Sequence, residues 1–526
     1  MAGAVVEQVP ELSIPDRMNA AAVFVDRNVA EGRSDKVAIY CGDREVSYAG
    51  LLENVNRVGN ALRALDVRIE NRVLLLLLDT PEFAYSFFGA MKVGAVPIPV
   101  NTLMTAADYE YVLNDSRAVV AIVSDALLPQ VQAIPRERLR YLRHIVVVGH
   151  GPDEFSSLDE LMAQASPQLE AEEMSKDDAA FWLYSSGSTG FPKGCVHLHH
   201  DMLFCSEYYA RGILGITEAD RTFSVAKLFF AYGLGNALYF PFYVGASTVL
   251  LPGRPEPTSV FEQVERFRPT LFFSVPTSYA ALLAAEGSYD FGSVRQGISA
   301  GEALPRAIFE RFRQRFGVEI LDGIGSTEIL HIFIANKPGQ VRPGSSGTVV
   351  PGYEAKLLDD DGNPVPRGDI GNLLIKGDSI CSMYWNKHHQ TARTILGEWI
   401  KTGDKYEQDE DGYFWYAGRS DDMLKVGGIW VSPIEIENTL MGHPAVLEAG
   451  VVGREDADEL VKPLAFVVLQ GDREPSDELA EELKEFVKGK LAPYKYPRWV
   501  QFVPDLPKTA TGKTQRFKLR AQSGRR

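Results

Sequence analysis

The sequence predicts an α/β protein: a large N-terminal domain with parallel sheets, and a small α+β domain at the C-terminus. Three observations carry this. Short β-branched strands alternate with helices between residues 37 and 321, the pattern of a parallel sheet covered on its faces. Near residue 350 Gly- and Asp-rich turns begin to separate short strands, which marks an antiparallel sheet or small β-barrel. Past Gly418 the pattern changes again, and residues 420–526 suffice for a small α+β domain.

The elements follow in order. A Gly42-Asp43 turn between residues 37–40 and 45–48 signals a hairpin. Leu51, Val55, Val58, Leu62 and Leu65 recur at helical spacing. The apolar run 73–78 suits a strand buried on both faces. A helix at 83–93 and strands at 95–100, 119–124 and 144–149 come next. Residues 150–178 are acidic and weakly patterned, and read as surface structure. Alternation resumes with strands at 248–251, 270–275, 297–299 and 318–321. Turns at 359–362 and 409–412 bound strands such as 372–375 and 413–416. Residues 446–452 and 464–469 read as strands, and Leu479, Leu483, Phe486 and Val487 share a helix face. A boundary near residues 419–421 gives domains 1–419 and 420–526.

Composition narrows the function. The formal net charge of −16 argues against bulk nucleic-acid or acidic-membrane binding, which need a basic face. Positive charge for an anionic ligand has to be local. Cys41, Cys195, Cys205 and Cys381 lack CxxC spacing and fit inert thiols in a reducing compartment. Residues 1–15 lack a signal-peptide pattern, and the longest apolar run is too short to span a bilayer. A cytoplasmic enzyme is the expectation.

The chemistry gathers around Tyr184-Ser185-Ser186-Gly187-Ser188-Thr189-Gly190-Phe191-Pro192-Lys193-Gly194. Glycines let backbone N–H groups turn inward, hydroxyls add donors and Lys193 adds a point charge, a combination suited to phosphate oxygens. The Pro-Lys-Gly order is not that of the common nucleotide loop. A plain Ser/Gly linker would not carry Phe-Pro-Lys at its centre. Five more stretches combine glycine with charge: 299–302, 322–328, 401–404, 418–422 and 506–513. Each alone reads as turn punctuation or a solvated pair; the argument rests on their occurring together and in this order. His197, His199 and His200 suggest a zinc cluster, but no Cys or carboxylate at ligand spacing completes it, and the structural reading is preferred.

With these six stretches in view, the chain resembles the adenylate-forming superfamily: acyl-CoA ligases, luciferases and the adenylation domains of peptide synthetases. Residues 227–236 and 325–332 look like those of its benzoate-CoA ligase group. The resemblance implies a reaction in which a carboxylate attacks the α-phosphate of ATP and a thiol, here that of coenzyme A, then displaces AMP. It implies that Ser185, Ser186, Gly187, Ser188, Thr189, Gly190 and Lys193 hold the β- and γ-phosphates. Gly301, Glu302, Asp322 and Gly323 would border adenine, and Asp404 with Arg419 the ribose. Glu328 would hold Mg²⁺ and Thr327 contact the α-phosphate. Lys513 would bridge the reacting anions. Asp421 would be the hinge of a mobile C-terminal domain that later presents Lys425, Gly427 and Gly428, the two glycines leaving room for pantetheine.

The same resemblance lines the acid pocket with Ala231, Tyr232, Gly233, Ala300, Gly325, His331 and Ile332. Segment 228–236 holds no carboxylate to pair an α-ammonium, which argues against amino acids, since an unpaired buried amine costs several kcal/mol or so. Small residues with Tyr232, His331 and Ile332 suit a flat ring, so an aromatic acid is expected. The alternatives are another small-acid CoA ligase, a free-standing enzyme that loads a carrier protein, and a binding protein without catalysis. The last is disfavoured because Lys193, Glu328, Asp404, Arg419 and Lys513 are all present. The sequence is compatible with a homodimer. Acetylation of Lys513 would remove its charge from the site.

Overall fold

The computed structural model describes residues 12–185, 191–419, 422–426, 429–456, 460–471, 473–492, 495–508 and 514–523. The hairpin around Gly42 forms as expected, Val37–Cys41 against Arg44–Ser47. Tyr48 then starts a helix to Ala64, capped by the Ser47 side chain on the Gly50 N–H. The apolar run forms the strand Arg72–Leu76 in the middle of an all-parallel group: Val96–Pro99, Arg72–Leu76, Val120–Ser124, His144–Val148 and Ser156–Ser157.

A second, nine-stranded sheet forms the other large layer. Its parallel centre runs in the order Ile320–Gly325, Gln296–Ser299, Leu271–Ser274, Arg221–Ser224, Ser247–Val249, Val37–Cys41. Antiparallel strands finish both edges. Ser274, Ser299 and Asp322 therefore lie at or near the carboxyl ends of neighbouring parallel strands, where open α/β sheets bind ligands. One apolar core, from Phe24 through Phe88 and Phe242 to Tyr406, ties the two large sheets and the next layer together.

The Gly/Asp-rich region is antiparallel, as expected: Glu354–Leu358, Ile370–Lys376, Trp399–Gln408 and Phe414–Arg419. Residues past 422 form a smaller C-terminal domain. It comprises Val446–Glu455, Val461–Leu469 and Trp499–Phe502, with the helices Pro433–Met441, Asp477–Lys488 and Arg516–Ser523. Its core is separate and includes Val451, Val467, Leu483 and Val487. Among the described residues no helix is long and apolar enough to cross a membrane.

Two sequence expectations shift by a few residues. Segment 322–328 was expected after a strand, but Asp322 to Gly325 are still strand, because Ile332–Ala335 pairs with them on the outer side. Segment 401–404 was expected to end a strand. The strand continues to Gln408, since Phe414–Arg419 supplies an antiparallel partner.

Candidate active site

The glycine loop connects two antiparallel strands, Ala179–Ser185 and Lys193–Leu198, and Ser185 sits opposite Lys193 in register. Ser185 and Lys193, which flank the loop, are thus side by side. Phe191 stacks on Tyr111 at 4.4 Å, and the Tyr111 hydroxyl donates to the Pro192 carbonyl at 3.1 Å, which fixes the descending arm. Ser186, Gly187, Ser188, Thr189 and Gly190 lie outside the described residues.

Glu328 faces the base of this hairpin. Its Oε1 accepts from Ser185 Oγ at 3.1 Å and from Tyr384 Oη at 2.9 Å. The Lys193 ammonium lies 4.3 Å from the centroid of the Tyr384 ring. Tyr384 is not among the residues the sequence singles out. The short strand Met383–Tyr384 pairs with Lys193–Leu198 and brings the ring there.

Glu328 belongs to a tight turn held on every carbonyl. Thr327 O accepts from His197 Nε2 at 2.8 Å, Glu328 O from the Cys381 N–H at 2.7 Å, and Ile329 O from Ser379 Oγ at 2.9 Å. Leu330 follows with φ +71° and ψ −49°, and the His331 N–H closes back onto Ile329 O at 2.9 Å. That is the strained form of the γ-turn, rare for a branched side chain, and it persists because the neighbours over-determine it. The corner turns Glu328 and His331 toward different surroundings.

The histidine trio is thereby explained. His197 Nδ1 pairs with the fully buried Asp201 at 2.7 Å while Nε2 holds Thr327. His199 Nδ1 accepts the Ala20 N–H, and burial pushes its pKa down to about 4. His200 Nδ1 meets the Lys176 carbonyl at 3.0 Å. Among the described residues no group of three or more His, Cys, Asp or Glu is arranged to hold a metal ion. The signal for the His197 role was a carboxylate four residues on.

Asp404 and Arg419 face each other across Trp399–Gln408 and Phe414–Arg419, Nη1 to Oδ1 at 3.2 Å. Attraction to Asp404 holds the guanidinium above its ordinary pKa. Gly403 takes φ +78°, and a Cβ there would come within 3.0 Å of Arg419 Nη2. Asp322 is buried, accepts the Leu304 N–H at 3.2 Å, and is pushed by burial up to about 8. Its register neighbour is Ser299, one residue before Ala300 and two before Gly301, whose φ is +93°. Glu302 Oε1 accepts the Thr514 N–H at 3.2 Å. The residue that follows Lys513 in sequence therefore meets Glu302 from the C-terminal domain. Lys513 itself, Asp421, Gly427 and Gly428 lie outside the described residues; Lys425 is part of the strand Leu424–Val426, opposite Trp430.

The expected acid-pocket residues cluster around His331. Its Nε2 faces the Tyr232 carbonyl at 3.3 Å and Asn236 Oδ1 at 3.1 Å. Both are acceptors, so Nε2 carries the proton and Nδ1 does not. Rings of Tyr209, Tyr232, Tyr239 and Phe240 surround the imidazole at 4.4 to 6.4 Å, and burial pushes its pKa down to about 3. The Tyr232 hydroxyl turns inward to the carbonyls of Ser274 and Ile298, both at 3.2 Å. Ala231, Ala300 and Ile332 are buried in the same apolar core. Glycines keep the wall thin. A Cβ on Gly233 would fall 2.1 Å from Lys227 O, and one on Gly325 would fall 2.6 Å from His331 O. Gly235, not singled out from the sequence, is as tight: its Cβ would lie 2.5 Å from His331 Cδ2. Segment 227–236 is also pinned from another layer, where buried Asp79 accepts the Leu228 N–H at 3.2 Å.

Known proteins share this sequence family and fold. A model of the AMP-binding enzyme family matches residues 26–385, and a model of the AMP-binding enzyme C-terminal domain matches residues 435–513. The benzoate–CoA ligase of Thauera aromatica is 52% identical over 516 residues, covering 97% of each chain. Among solved structures, the anthranilate CoA ligase AuaEII in complex with anthranoyl-AMP superposes with a TM-score of 0.94 at 47% identity, covering 97% of this chain and 98% of that one. A benzoate CoA ligase from Burkholderia xenovorans LB400 superposes with a TM-score of 0.89 at 48% identity, covering 96% of this chain and 100% of that one.

Proposed function

Because the chain belongs to the AMP-binding enzyme family, we propose that it is an AMP-forming aromatic carboxylic acid:CoA ligase, with benzoate or a close analogue as its acid. The observation that carries the acid class is the neutral, ring-lined wall around His331, set directly beside a charged phosphate side. A flat apolar ring loses little on entering such a wall, whereas an ammonium would find no carboxylate in segment 228–236.

The first half-reaction joins two anions, so fixed donors and cations have to offset their repulsion. Lys193 and the loop from Ser185 to Gly190 bind the β- and γ-phosphates. Thr327 contacts the α-phosphate, and Lys513 bridges it to the acid carboxylate. A carboxylate oxygen bonds to the α-phosphorus, the bond to the bridging oxygen breaks, and pyrophosphate leaves. Asp404 accepts from the ribose hydroxyls, oriented by Arg419. Asp322, Gly323, Gly301 and Glu302 border the adenine. Glu328 is a single hard-oxygen ligand beside the phosphate loop, a set that fits Mg²⁺ shared with ATP phosphates, where the ion would neutralise charge.

In the second half-reaction the coenzyme A sulfur attacks the acyl carbon and AMP departs. We place the domain boundary at residues 419–420 and the hinge at Asp421. Rotation there withdraws Lys513 and brings Lys425, Gly427 and Gly428 to the acyl-adenylate. The Thr514–Glu302 contact supports the adenylating orientation for the arrangement described. In this scheme acetylation of Lys513 would stop the first half-reaction and spare the second.

Pyrophosphate release with ATP, Mg²⁺, CoA and a panel of acids tests the proposal. Benzoate, hydroxybenzoates or aminobenzoates should turn over well ahead of acetate and hexanoate. Turnover of an aliphatic acid alone would refute the acid class. Turnover only when CoA is replaced by a phosphopantetheinylated carrier protein would favour a loading enzyme.

A further inference from the structure

We propose that Tyr384 is a positioning residue that holds the Glu328 carboxylate and the Lys193 ammonium as separate, unneutralised charges, and so sets how Mg²⁺ enters with ATP. The proposal rests on the acid-activating reading above. Lys193 and Glu328 carry opposite charges and approach the same phosphate loop. Left to themselves they would pair, and each would cancel the charge the other needs to present. Among the described residues no ion pair joins them: Lys193 meets the Tyr384 ring, and Glu328 Oε1 meets the hydroxyls of Ser185 and Tyr384. The Tyr384 ring stands between their roles. Its face takes the Lys193 ammonium at 4.3 Å, and its hydroxyl donates to Glu328 Oε1 at 2.9 Å.

The ring is well mounted for this work. Tyr384 is 3% exposed and packs with Cys195, Cys381 and Ile395. Its N–H donates to Thr391 Oγ1 at 3.1 Å. The next residue, Trp385, donates its N–H to Gly194 O at 2.8 Å and its indole N–H to Asp115 O at 2.9 Å, and packs on Trp182. Burial raises the phenol far above its ordinary pKa, so the hydroxyl stays a donor. Ser185 and Tyr384 both spend their hydrogens on Oε1. Among the described residues Oε2 receives no hydrogen bond, and it is the oxygen free to meet a hard cation. The face of an aromatic ring attracts an ammonium without neutralising it, which leaves Lys193 able to reach phosphate.

Two variants separate the functions of the ring and the hydroxyl. Tyr384→Phe keeps the spacer and the cation contact but removes the donor. Tyr384→Leu removes both. The readout is ATP binding by calorimetry, in EDTA and across a Mg²⁺ series, with acid affinity and thermal unfolding as controls. For Tyr384→Phe, affinity in EDTA should stay within about twofold, while the Mg²⁺ concentration for half-maximal enhancement should rise about tenfold, the scale of one hydrogen bond to a charged group. Tyr384→Leu should in addition weaken binding in EDTA severalfold, as Lys193 falls onto Glu328. The proposal is overturned if Mg²⁺ dependence in Tyr384→Phe matches the wild type. It is equally overturned if affinity falls by the same factor with and without Mg²⁺, which is what a purely structural role predicts. Pyrophosphate release by the wild-type chain reports on the acid-activating reading separately.

Discussion

Glu328 and His331 are three residues apart and live in opposite electrostatic worlds. On the phosphate side, hydroxyls hold the Glu328 carboxylate, a ring holds the Lys193 ammonium, and Arg419 pairs with Asp404. On the acid side His331 is kept neutral, held down to about 3 by burial, and the buried Asp322 of the adenine border is pushed up to about 8. The strained corner at Leu330 lets one short segment serve both. In the proposed function the phosphate side supplies chemistry common to any acid, and the acid side selects the acid by shape and neutrality. Variants in the two regions should therefore fail in different ways.

The largest effect is expected on the charged side. Lys513→Ala should lower adenylation by about 10³-fold, the scale of removing one preorganised donor from a developing charge. Thioester formation from supplied benzoyl-adenylate should persist, as single-turnover assays with and without that intermediate would show. Equal loss of both halves would break the division of labour.

The neutral side should respond to volume. Gly235→Ala places a methyl 2.5 Å from His331 Cδ2 and 2.7 Å from Tyr239 Oη. Overpacking of this kind costs about 1–3 kcal/mol, so kcat/KM for benzoate should fall roughly tenfold to a hundredfold. The KM for ATP should hold, and a matching rise in it would show that the two sides are not separable.

A smaller effect tests neutrality itself. Asp322 keeps its proton up to about 8 when folded, whereas an unfolded aspartate loses it near 3.8. Its contribution to stability is thus complete at low pH and is lost as pH rises toward 8. His331 and His199 act in the opposite sense: their contribution is complete above about 6.5 and is lost as pH falls below it. Between pH 6.5 and 8 the Asp322 effect stands alone among these three. Asp322→Asn should flatten the decline of denaturant-unfolding free energy over that interval by about 1–2 kcal/mol. An unchanged slope would mean the carboxyl is already ionised.

The smallest effect belongs to a charged pair that solvent still reaches. The Arg419 side chain is 50% exposed in its pair with Asp404. Arg419→Ala should raise the KM for ATP by no more than about fivefold, since such pairs are worth about 1 kcal/mol or less. Acid preference should not move.

The contrast between the two sides also explains what the sequence revealed. Glycine, hydroxyl and charge stand in a set order to surround a phosphate, which is why the stretches at 185–193, 322–328, 401–404 and 506–513 stand out in the sequence as candidates. The strand alternation placed the parallel sheets for the same reason, since a covered strand has to be apolar throughout. Tyr384 could not be read this way. Its value comes from strand Met383–Tyr384 pairing with a segment nearly two hundred residues earlier, and nothing near it in sequence records that partner. For His197 the sequence favours a structural role over zinc without naming its partners; its work depends on Asp201 below and the Thr327 carbonyl beside it. Gly235 was missed because a glycine next to helix residues shows its purpose only when His331 is packed against it.

In the proposed function these two sides make an aromatic acyl-adenylate before coenzyme A takes part. The decisive measurement is exchange of labelled pyrophosphate into ATP without coenzyme A. Exchange should require Mg²⁺ and an aromatic acid, be lost in Lys513→Ala, and proceed with no thiol present. Exchange that needs coenzyme A, or that runs equally well with acetate in place of benzoate, would contradict the proposed function.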